Sequence, residues 1–269
     1  RSDVVILCLG LDETLEGEQR DTEKIFDSGD KRDLSLPPSQ QKLLEAVTAV
    51  GKPVVLLMST GSAMDLRLAD QRCNAILQTW YPGGRGGKSI ARILFGEVSP
   101  SGKLPVTFYR SVEDLPDFCD YSMHNRTYRY FQGEPLYPFG YGLSYSHVTL
   151  SDLHLEKAVA GKPLTLSVNA CNDGGRDTDE VVQVYIKDLQ SPLAVANHSL
   201  CAFTRISLKA GEKCTVSLTL SPAAFQVVDE DGSRKLDSHA FRIYVGLSQP
   251  DARSVALTGQ TPLQQDISL

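Results

Sequence analysis

The first half of the chain alternates short apolar runs with stretches of helical periodicity. Three strands are predicted from apolar runs, over residues 3–9, 54–58 and 75–77. The first run is continuous and is typical of a strand that is buried on both faces. One helix is predicted to open at Pro37 and end at Gly51, and another to cover residues 89–95. This alternation favours an α/β three-layer sandwich with a mainly parallel sheet and helices on both faces.

The second half of the chain has a period of two. Apolar and polar residues alternate over residues 164–168, 182–186, 216–220 and 241–245. Such alternation predicts strands with one buried and one solvent-facing side. Turn signals separate the runs, among them Asn172-Asp173-Gly174-Gly175. The pattern predicts an all-β antiparallel sandwich of about seven strands.

Between the two halves, residues 100–147 are rich in proline, glycine and aromatic residues and show little periodicity. Aromatic side chains bury large areas, so the stretch 135–145 is expected to pack against a neighbour instead of acting as a flexible linker. The domain boundary is placed at residue 147, giving domains 1–147 and 148–269. A length of 269 residues agrees with two domains at about 150 residues each.

Composition excludes several classes of function. Apolar residues make up 41% and charged residues 22% of the chain, which is ordinary for a globular protein. The net charge is −6 and there is no basic block, so nucleic-acid binding is not expected. The apolar runs are far shorter than the roughly 20 residues that span a bilayer, so no membrane segment is expected.

The six cysteines and five histidines follow no metal-ligand spacing. We expect free, mostly buried thiols, which fits a reducing compartment, and neither a structural metal nor a cofactor. Arg1 stands directly before the first strand with no signal-peptide pattern, and we expect a longer protein that was cut here. Asn125 and Asn197 open short glycosylation-acceptor patterns, which also arise by chance.

An acidic cluster at residues 12–21 follows the first predicted strand through Gly10. Ligand sites in open α/β sheets lie beyond the carboxyl ends of the strands, and a shielded carboxylate there can have a raised pKa and donate a proton. The alternative is a solvated acidic loop, which is what most charge runs are. Spacing alone leaves both interpretations open.

Three other motifs carry weaker signals. The stretch 82–89 ends in Gly-Lys-Ser, but the first glycine of a phosphate loop would fall at Pro82, so a tight turn before a helix is predicted instead of a nucleotide site. Residues 59–62 lack the G-x-S-x-G pattern of a serine hydrolase. Trp80 and Tyr81 either stack on a sugar face or pack in the interior.

Longer motifs resemble the second domain of family 3 glycoside hydrolases. They are Gly10-Leu11-Asp12 with Leu15-Glu16-Gly17-Glu18, Leu34-Ser35-Leu36-Pro37, Trp80-Tyr81-Pro82-Gly83, the run 94–108, Asp114-Leu115-Pro116, and the runs 126–131 and 135–145. The C-terminal half resembles the fibronectin-III-like module of the same enzymes through Asn172-x-Gly174 and the runs 180–185 and 208–212. The resemblance covers nearly the whole chain.

This resemblance implies a retaining exo-β-glycosidase of the β-xylosidase or β-glucosidase type, acting on β-linked oligosaccharides. The acidic loop favours the xylosidase branch. The implied aspartate nucleophile belongs to an N-terminal barrel domain that this sequence does not contain, so the chain is expected to be inactive alone and its loop exposed. The implied general acid/base is Glu18. Because Gln19 follows where glycine is common, Glu16 with Gly17 is the runner-up.

A non-enzymatic interpretation stays open beside the first. In it the chain is a carbohydrate-binding or scaffolding module, and Trp80, Tyr81 and the aromatic run 137–145 form its platform.

Overall fold

The computed structural model describes residues 2–16, 31 and 33–269, and the chain forms two compact units. Unit 1 comprises Arg1–Leu94, Phe108–Leu115 and Glu134–Leu136, and unit 2 comprises Phe95–Thr107, Pro116–Gly133 and Tyr137–Leu269. The chain therefore passes between the units several times before residue 138. The single domain boundary at residue 147 stays a prediction.

Unit 1 is built on a parallel three-stranded sheet in the order β1-β2-β3. Its elements are β1 (Val5–Gly10), α1 (Pro38–Thr48), β2 (Val54–Ser59), α2 (Arg67–Arg72), β3 (Ala75–Gln78), α3 (Gly86–Leu94) and a 3₁₀ turn at Val112–Asp114. The predicted strands and helices are present, and the α/β class is confirmed. The short helix α2 has no clear periodic signal and was not predicted.

Strand β1 differs from the prediction in its burial. Leu7 and Leu9 are buried, whereas Ile6 is 48% exposed and Cys8 is exposed. The expectation that both faces are buried is therefore wrong for this strand. Within the described residues β1 pairs only with β2, so it is an edge strand, and the central strand β2 is the one that is mostly buried.

Unit 2 is built on two antiparallel sheets, in the orders β12-β11-β6-β7 and β4-β5-β8. Its strands are β4 (Val148–Leu155), β5 (Leu164–Asn172), β6 (Thr178–Asp188), β7 (Ser199–Leu208), β8 (Lys213–Leu220), β9 (Val227–Val228), β10 (Arg234–Lys235), β11 (Ala240–Gly246) and β12 (Leu263–Ser268). Its helices are α4 (Thr127–Tyr130), α5 (Ala252–Thr258) and a 3₁₀ turn at Pro222–Phe225. The predicted all-β sandwich is confirmed, and β9 and β10 form a separate hairpin.

The core of unit 2 comes from the alternating positions that predicted the strands. It includes Leu164, Leu166, Val168, Val182, Val184, Val216, Leu218, Phe241, Ile243 and Val245. Phe225 meets Phe241 edge-to-face at 5.2 Å between ring centroids, a favourable aromatic geometry. Side chains from both sheets thus fill one apolar interior.

The outer face of β6 is covered instead of wet. Tyr185 is fully buried, Gln183 is 3% exposed, and Phe139 packs edge-on against Tyr185. Gln183 donates to the Gly140 carbonyl at 3.0 Å and accepts from the Tyr185 hydroxyl at 2.6 Å. A Cβ at Gly140, where φ is +77°, would lie 2.3 Å from the Gln183 amide oxygen, so glycine is required. The aromatic stretch packs on a neighbour as predicted. The prediction that one face of β6 is exposed to solvent is wrong.

Asn197 holds the segment around α4 in place through its side-chain amide. Its nitrogen donates to the carbonyls of Tyr128 and Phe131 at 3.0 and 2.8 Å, and its oxygen accepts from Gln132. A glycan on that nitrogen would displace at least one of these bonds. The acceptor pattern at Asn197 therefore serves packing in this fold.

All six cysteines are free, as predicted, but they are not buried as predicted. Cys8 and Cys119 are exposed and the other four are half-buried. Cys8 is exposed because it lies on the uncovered face of the edge strand β1. Among the residues that the structure describes, no helix has the length and apolar character needed to cross a membrane.

Asn172 gives a first test of the fold, because it is fully buried and fully bonded. Its amide nitrogen donates to the carbonyls of Arg176, Leu208 and Lys209, and its oxygen accepts from Ser146 and Gly174. Asn172→Ala leaves these buried groups unpaired. We expect the free energy of unfolding, measured by urea denaturation, to fall by about 3 kcal/mol.

Asn169 on the same strand is the matched control. It is exposed and bonds only to side chains at the surface, those of Asp152 and Thr215. Asn169→Ala should lower the free energy of unfolding by less than about 1 kcal/mol. Equal losses for the two variants would contradict the role assigned to Asn172.

His198 gives a second test, through pH. It is 7% exposed, and its Nε2 has no hydrogen-bond partner. Burial lowers the pKa of His198 to about 4. As the pH falls, His198 therefore binds a proton in the unfolded chain before it does so in the folded chain. The free energy of unfolding keeps its full value above pH 6.5 and falls by about 3 kcal/mol between pH 6.5 and 4.

The variant His198→Phe removes the titrating group but keeps an aromatic ring among Tyr128, Tyr185 and Tyr244. Urea midpoints between pH 7 and 4 should fall more steeply for the wild type than for this variant. His154 is exposed, and His154→Gln should keep the wild-type slope. Parallel curves for wild type and His198→Phe would refute the assignment.

Candidate functional site at the ends of the parallel strands

The carboxyl ends of β1 and β2 lie side by side. Gly10 pairs with Ser59 in the parallel register, and a Cβ on Gly10 would lie 2.0 Å from the Ser59 carbonyl oxygen. Only glycine allows this approach. Gln40 on α1 donates to the Gly10 carbonyl and accepts from its amide, at 2.7 and 3.0 Å. The end of β1 is thus held from two sides.

Asp12 forms the turn that follows β1. Its carboxylate accepts from the amide and hydroxyl of Thr14, at 3.0 and 2.6 Å, and its carbonyl accepts from the amides of Leu15 and Glu16. The Thr14 hydrogen bonds lower the pKa of the exposed Asp12 carboxyl. Asp12 is therefore a turn residue that stays ionised, and it directs the chain towards Glu16.

Glu16 bridges two other strand ends. Its Oε1 accepts from the Ser62 hydroxyl at 2.7 Å, and its Oε2 accepts from the Tyr81 hydroxyl at 2.9 Å. Ser62 follows β2 and Tyr81 follows β3. Burial and the bond to Glu16 raise the pKa of Tyr81, which keeps the phenol protonated and able to donate. Glu16 thus ties together the segments after all three strands.

Lys31 makes a second attachment to the segment after β2. Its Nζ donates to the Ala63 carbonyl at 2.7 Å and contacts the Met64 sulfur at 3.3 Å. Burial lowers the pKa of Lys31, and the negative charges of Glu16 and Asp33 oppose that shift. The residues on either side of 17–30 are therefore attached to the same four-residue stretch, Gly61-Ser62-Ala63-Met64.

The predicted acid/base, Glu18, lies outside the described residues, so its role stays a prediction. The runner-up Glu16 is described, and both of its oxygens are used as acceptors. Glu16 is the acceptor in both bonds, so neither of them directs a proton of Glu16 towards a sugar. Within the described part of the chain, no group of histidine, cysteine and acidic residues could hold a metal ion.

Trp80 and Tyr81 have different surroundings. Trp80 is half-buried and meets Phe108 edge-on at 6.4 Å, while Tyr81 is 54% exposed and bonds to Glu16. The aromatic run 137–145 belongs to unit 2 and packs there, with Phe139 stacked on Tyr128 at 4.1 Å. The residues suggested for a sugar platform are thus divided between the two compact units.

The glycine-rich stretch forms the turn that the sequence predicts. The amide of Gly86 donates to the Gly83 carbonyl at 3.0 Å, and α3 begins at Gly86, three positions before the predicted start. The chain has no phosphate-loop spacing here, and the turn leads directly into the helix.

Sequence reasoning missed the partners of the acidic loop. Ser62, Tyr81, Lys31 and Gln40 were not assigned to a common site. A usable signal existed, because parallel strands end at the same edge of a sheet, and Ser62 and Tyr81 each stand within three residues of a strand end.

The sequence and fold match known proteins over almost the whole chain. The sequence model of the glycosyl hydrolase family 3 C-terminal domain matches residues 1–145, and that of the fibronectin type III-like domain matches residues 180–249. A xylan 1,4-beta-xylosidase of Xylanibacter ruminicola is 38% identical over 256 residues, which are 94% of this chain and 30% of the relative. A periplasmic beta-glucosidase of Salmonella typhimurium is 33% identical over 92% of this chain and 33% of its own.

A solved structure agrees with these sequences. The β-glucosidase of Erythrobacter marinus superposes with a TM-score of 0.83 at 34% identity, over 99% of this chain and 34% of its own. The chain thus spans about a third of the length of the relatives it matches. It belongs to glycoside hydrolase family 3, and its 269 residues carry the family's C-terminal domain followed by a fibronectin type III-like domain.

Proposed function

We propose that this chain is the C-terminal part of a retaining exo-β-glycosidase acting on β-linked oligosaccharides of xylose or glucose configuration, and that it supplies Glu18 as the general acid/base. The observation that carries the proposal is the attachment of the acidic loop. Glu16 on one side and Lys31 on the other bind the segment after β2. Glu16 and Lys31, the described residues that flank Glu18 in the sequence, thus both lie beside the strand ends, where α/β folds place their ligands.

Glu18 is the better candidate for the general acid/base, because the acidic residues near it that the structure describes have structural roles. Asp12 is held in a turn by Thr14, and Glu16 accepts hydrogen bonds at both oxygens. A general acid needs a proton directed at the leaving oxygen. Glu16 is better suited to position the loop, which leaves Glu18 for the proton transfer.

The chemistry requires two carboxyl groups about 5–5.5 Å apart. As the bond from C1 to the leaving oxygen breaks, Glu18 gives its proton to that oxygen and an aspartate nucleophile bonds to C1. In the second step Glu18 accepts a proton from water, the water oxygen bonds to C1, and the aspartate leaves. The nucleophile would come from polypeptide outside these 269 residues.

The surface of unit 1 supports a role within a larger protein. Val4 is 46% and Ile6 48% exposed, and Cys8 beside them is exposed too. Parallel sheets are normally covered on both faces, so further polypeptide would bury these side chains favourably. The relatives, about three times as long as this chain, supply a precedent for such polypeptide.

Glu18→Gln in the full-length enzyme tests the acid/base assignment. We expect turnover of natural oligosaccharides to fall about 10³-fold, because the leaving oxygen is no longer protonated. An aryl glycoside with a good leaving group needs no such proton, so its covalent intermediate should accumulate. Azide should then restore turnover and yield a β-glycosyl azide, detected by mass spectrometry.

Glu45 supplies the matched control, since it is exposed on α1. Glu45→Gln should leave turnover unchanged. Unchanged turnover in Glu18→Gln, or a loss that azide does not rescue, would remove Glu18 from the role.

Glu16→Gln tests the positioning role separately. The amide replaces one acceptor with a donor, so the hydroxyls of Ser62 and Tyr81 can no longer both donate to residue 16. We expect kcat on natural substrates to fall about tenfold, with no azide rescue and an unchanged alkaline limb of the pH–rate profile, which reports the general acid. Tyr81→Phe removes one of the same bonds, and its effect should not add to that of Glu16→Gln.

The two glutamates are thus distinguished by azide and by pH. Azide rescue in Glu16→Gln, together with its absence in Glu18→Gln, would exchange their roles.

A further inference from the structure

Unit 2 contains a cavity of about 290 Å³ that the proposed hydrolysis does not use. It is lined by the end of the aromatic stretch and the residues that follow it, the first residues of β4, the end of β11, helix α5 and the start of β12. All of these belong to unit 2. The volume lies just below the range for drug-sized ligand sites, about 300–1,000 Å³, which suits a smaller ligand.

A buried ion pair forms one wall of the cavity. Lys103 Nζ lies 2.8 Å from the Glu180 carboxylate, with the two side chains 11% and 5% exposed. Lys103 also donates to the Gly142 carbonyl at 2.8 Å, and Glu180 accepts from the Val181 amide at 2.7 Å. The opposite charges compensate each other, so this wall presents polar atoms without a net charge.

Stability alone does not explain this pair. Removing two charges from water costs free energy that their attraction only partly returns, and apolar replacements of similar volume are often as stable. Lys103 and Glu180 come from two of the motifs that carry the family resemblance, and neither takes part in the proposed reaction. Both side chains line the cavity, which makes the pair a candidate binding feature.

A second wall carries hydroxyl groups. Ser248 and Ser254 are 8% and 4% exposed, and their hydroxyls lie 2.9 Å apart. A pair of hydroxyls has two protons and four acceptor positions, and one mutual bond leaves most of these for a ligand. Gln260 stands nearby and donates to the Val148 carbonyl at 2.9 Å.

The remaining lining is apolar and includes Leu143, Leu257, Pro262 and Leu263. A ligand for this site needs apolar C–H faces and several hydroxyl groups, and it needs no net charge. Phosphate and carboxylate ligands fit poorly, because Glu180 lines the wall and Asp173 is bonded to His147, another lining residue. A pyranose ring has the required size and chemistry.

We propose that this cavity is a binding site for a neutral monosaccharide-sized polyol, separate from the hydrolytic site. The ring lies against the leucine and proline side chains, and its hydroxyls bond to the serine pair and to the ion-pair wall. The site belongs to the unit that holds the fibronectin type III-like domain and does not depend on the assignment of Glu18.

The test is calorimetric titration of the 269-residue chain with D-xylose and, in a second arm, D-glucose. A ligand of about twelve heavy atoms is expected to bind in the millimolar range. Leu257→Trp fills the cavity and should weaken binding at least tenfold. Its matched control, Leu189→Trp, places the same side chain at a position that is 42% exposed and outside the cavity, and should bind like the wild type.

Two further variants keep the result interpretable. If thermal unfolding shows that Leu257→Trp does not fold, Gln260→Met takes its place, with the exposed Gln264→Met as control. Glu18→Gln should bind the two sugars like the wild type. The binding proposal is therefore tested independently of the hydrolytic one. No saturable binding to either sugar, or affinity unchanged by Leu257→Trp or its replacement, would overturn the proposal.

Discussion

The parallel pairing of β1 with β2 is the constraint on which the candidate site depends. Gly10 stands opposite Ser59, so both strands end at one level and the segments that follow must run beside each other. No side chain fits between the two strand ends at Gly10. Glu16 therefore reaches Ser62 although 46 positions separate them in the chain. The register brings the acidic residues to the sheet edge, and the hydrogen bonds hold them there.

The second unit depends on a different device, the bonding of buried amides. Gln183, Asn172 and Asn197 each use their side chains to bond backbone carbonyls of loop residues, namely Gly140, Lys209 and Phe131. An unpaired buried carbonyl costs free energy, so these amides specify where the irregular segments lie. The covering of β6 by the aromatic stretch follows from this, and it leaves the side chain of Tyr185 without exposure to solvent.

Burial accounts for the places where local pattern and structure disagree. Alternation along residues 182–186 predicts a wet face because Gln183 and Tyr185 are polar, yet the aromatic stretch covers them. A continuous apolar run in β1 predicts burial on both faces, yet an edge strand buries only the face that meets its own unit. In both cases the sequence pattern shows which environments a side chain is suited to, and the packing of neighbouring segments decides whether it is buried. The cysteines differ for the same reason, since Cys8 shares the open face of β1 with Ile6.

The sequence by itself determined the two fold classes, most of the strands and the family. The hydrophobic period, the turn residues and the order of the long motifs are all visible in the sequence without any coordinates. It also drew attention to the acidic loop, since a charge run directly after a buried strand is visible in one dimension. Only the tertiary structure decided that Glu16 bonds Ser62 and Tyr81, that Lys31 holds the other side, and that Lys103 and Glu180 line a cavity. These contacts join residues from 32 to 77 positions apart, and their partners are set by strand register and loop packing, which no short sequence window contains.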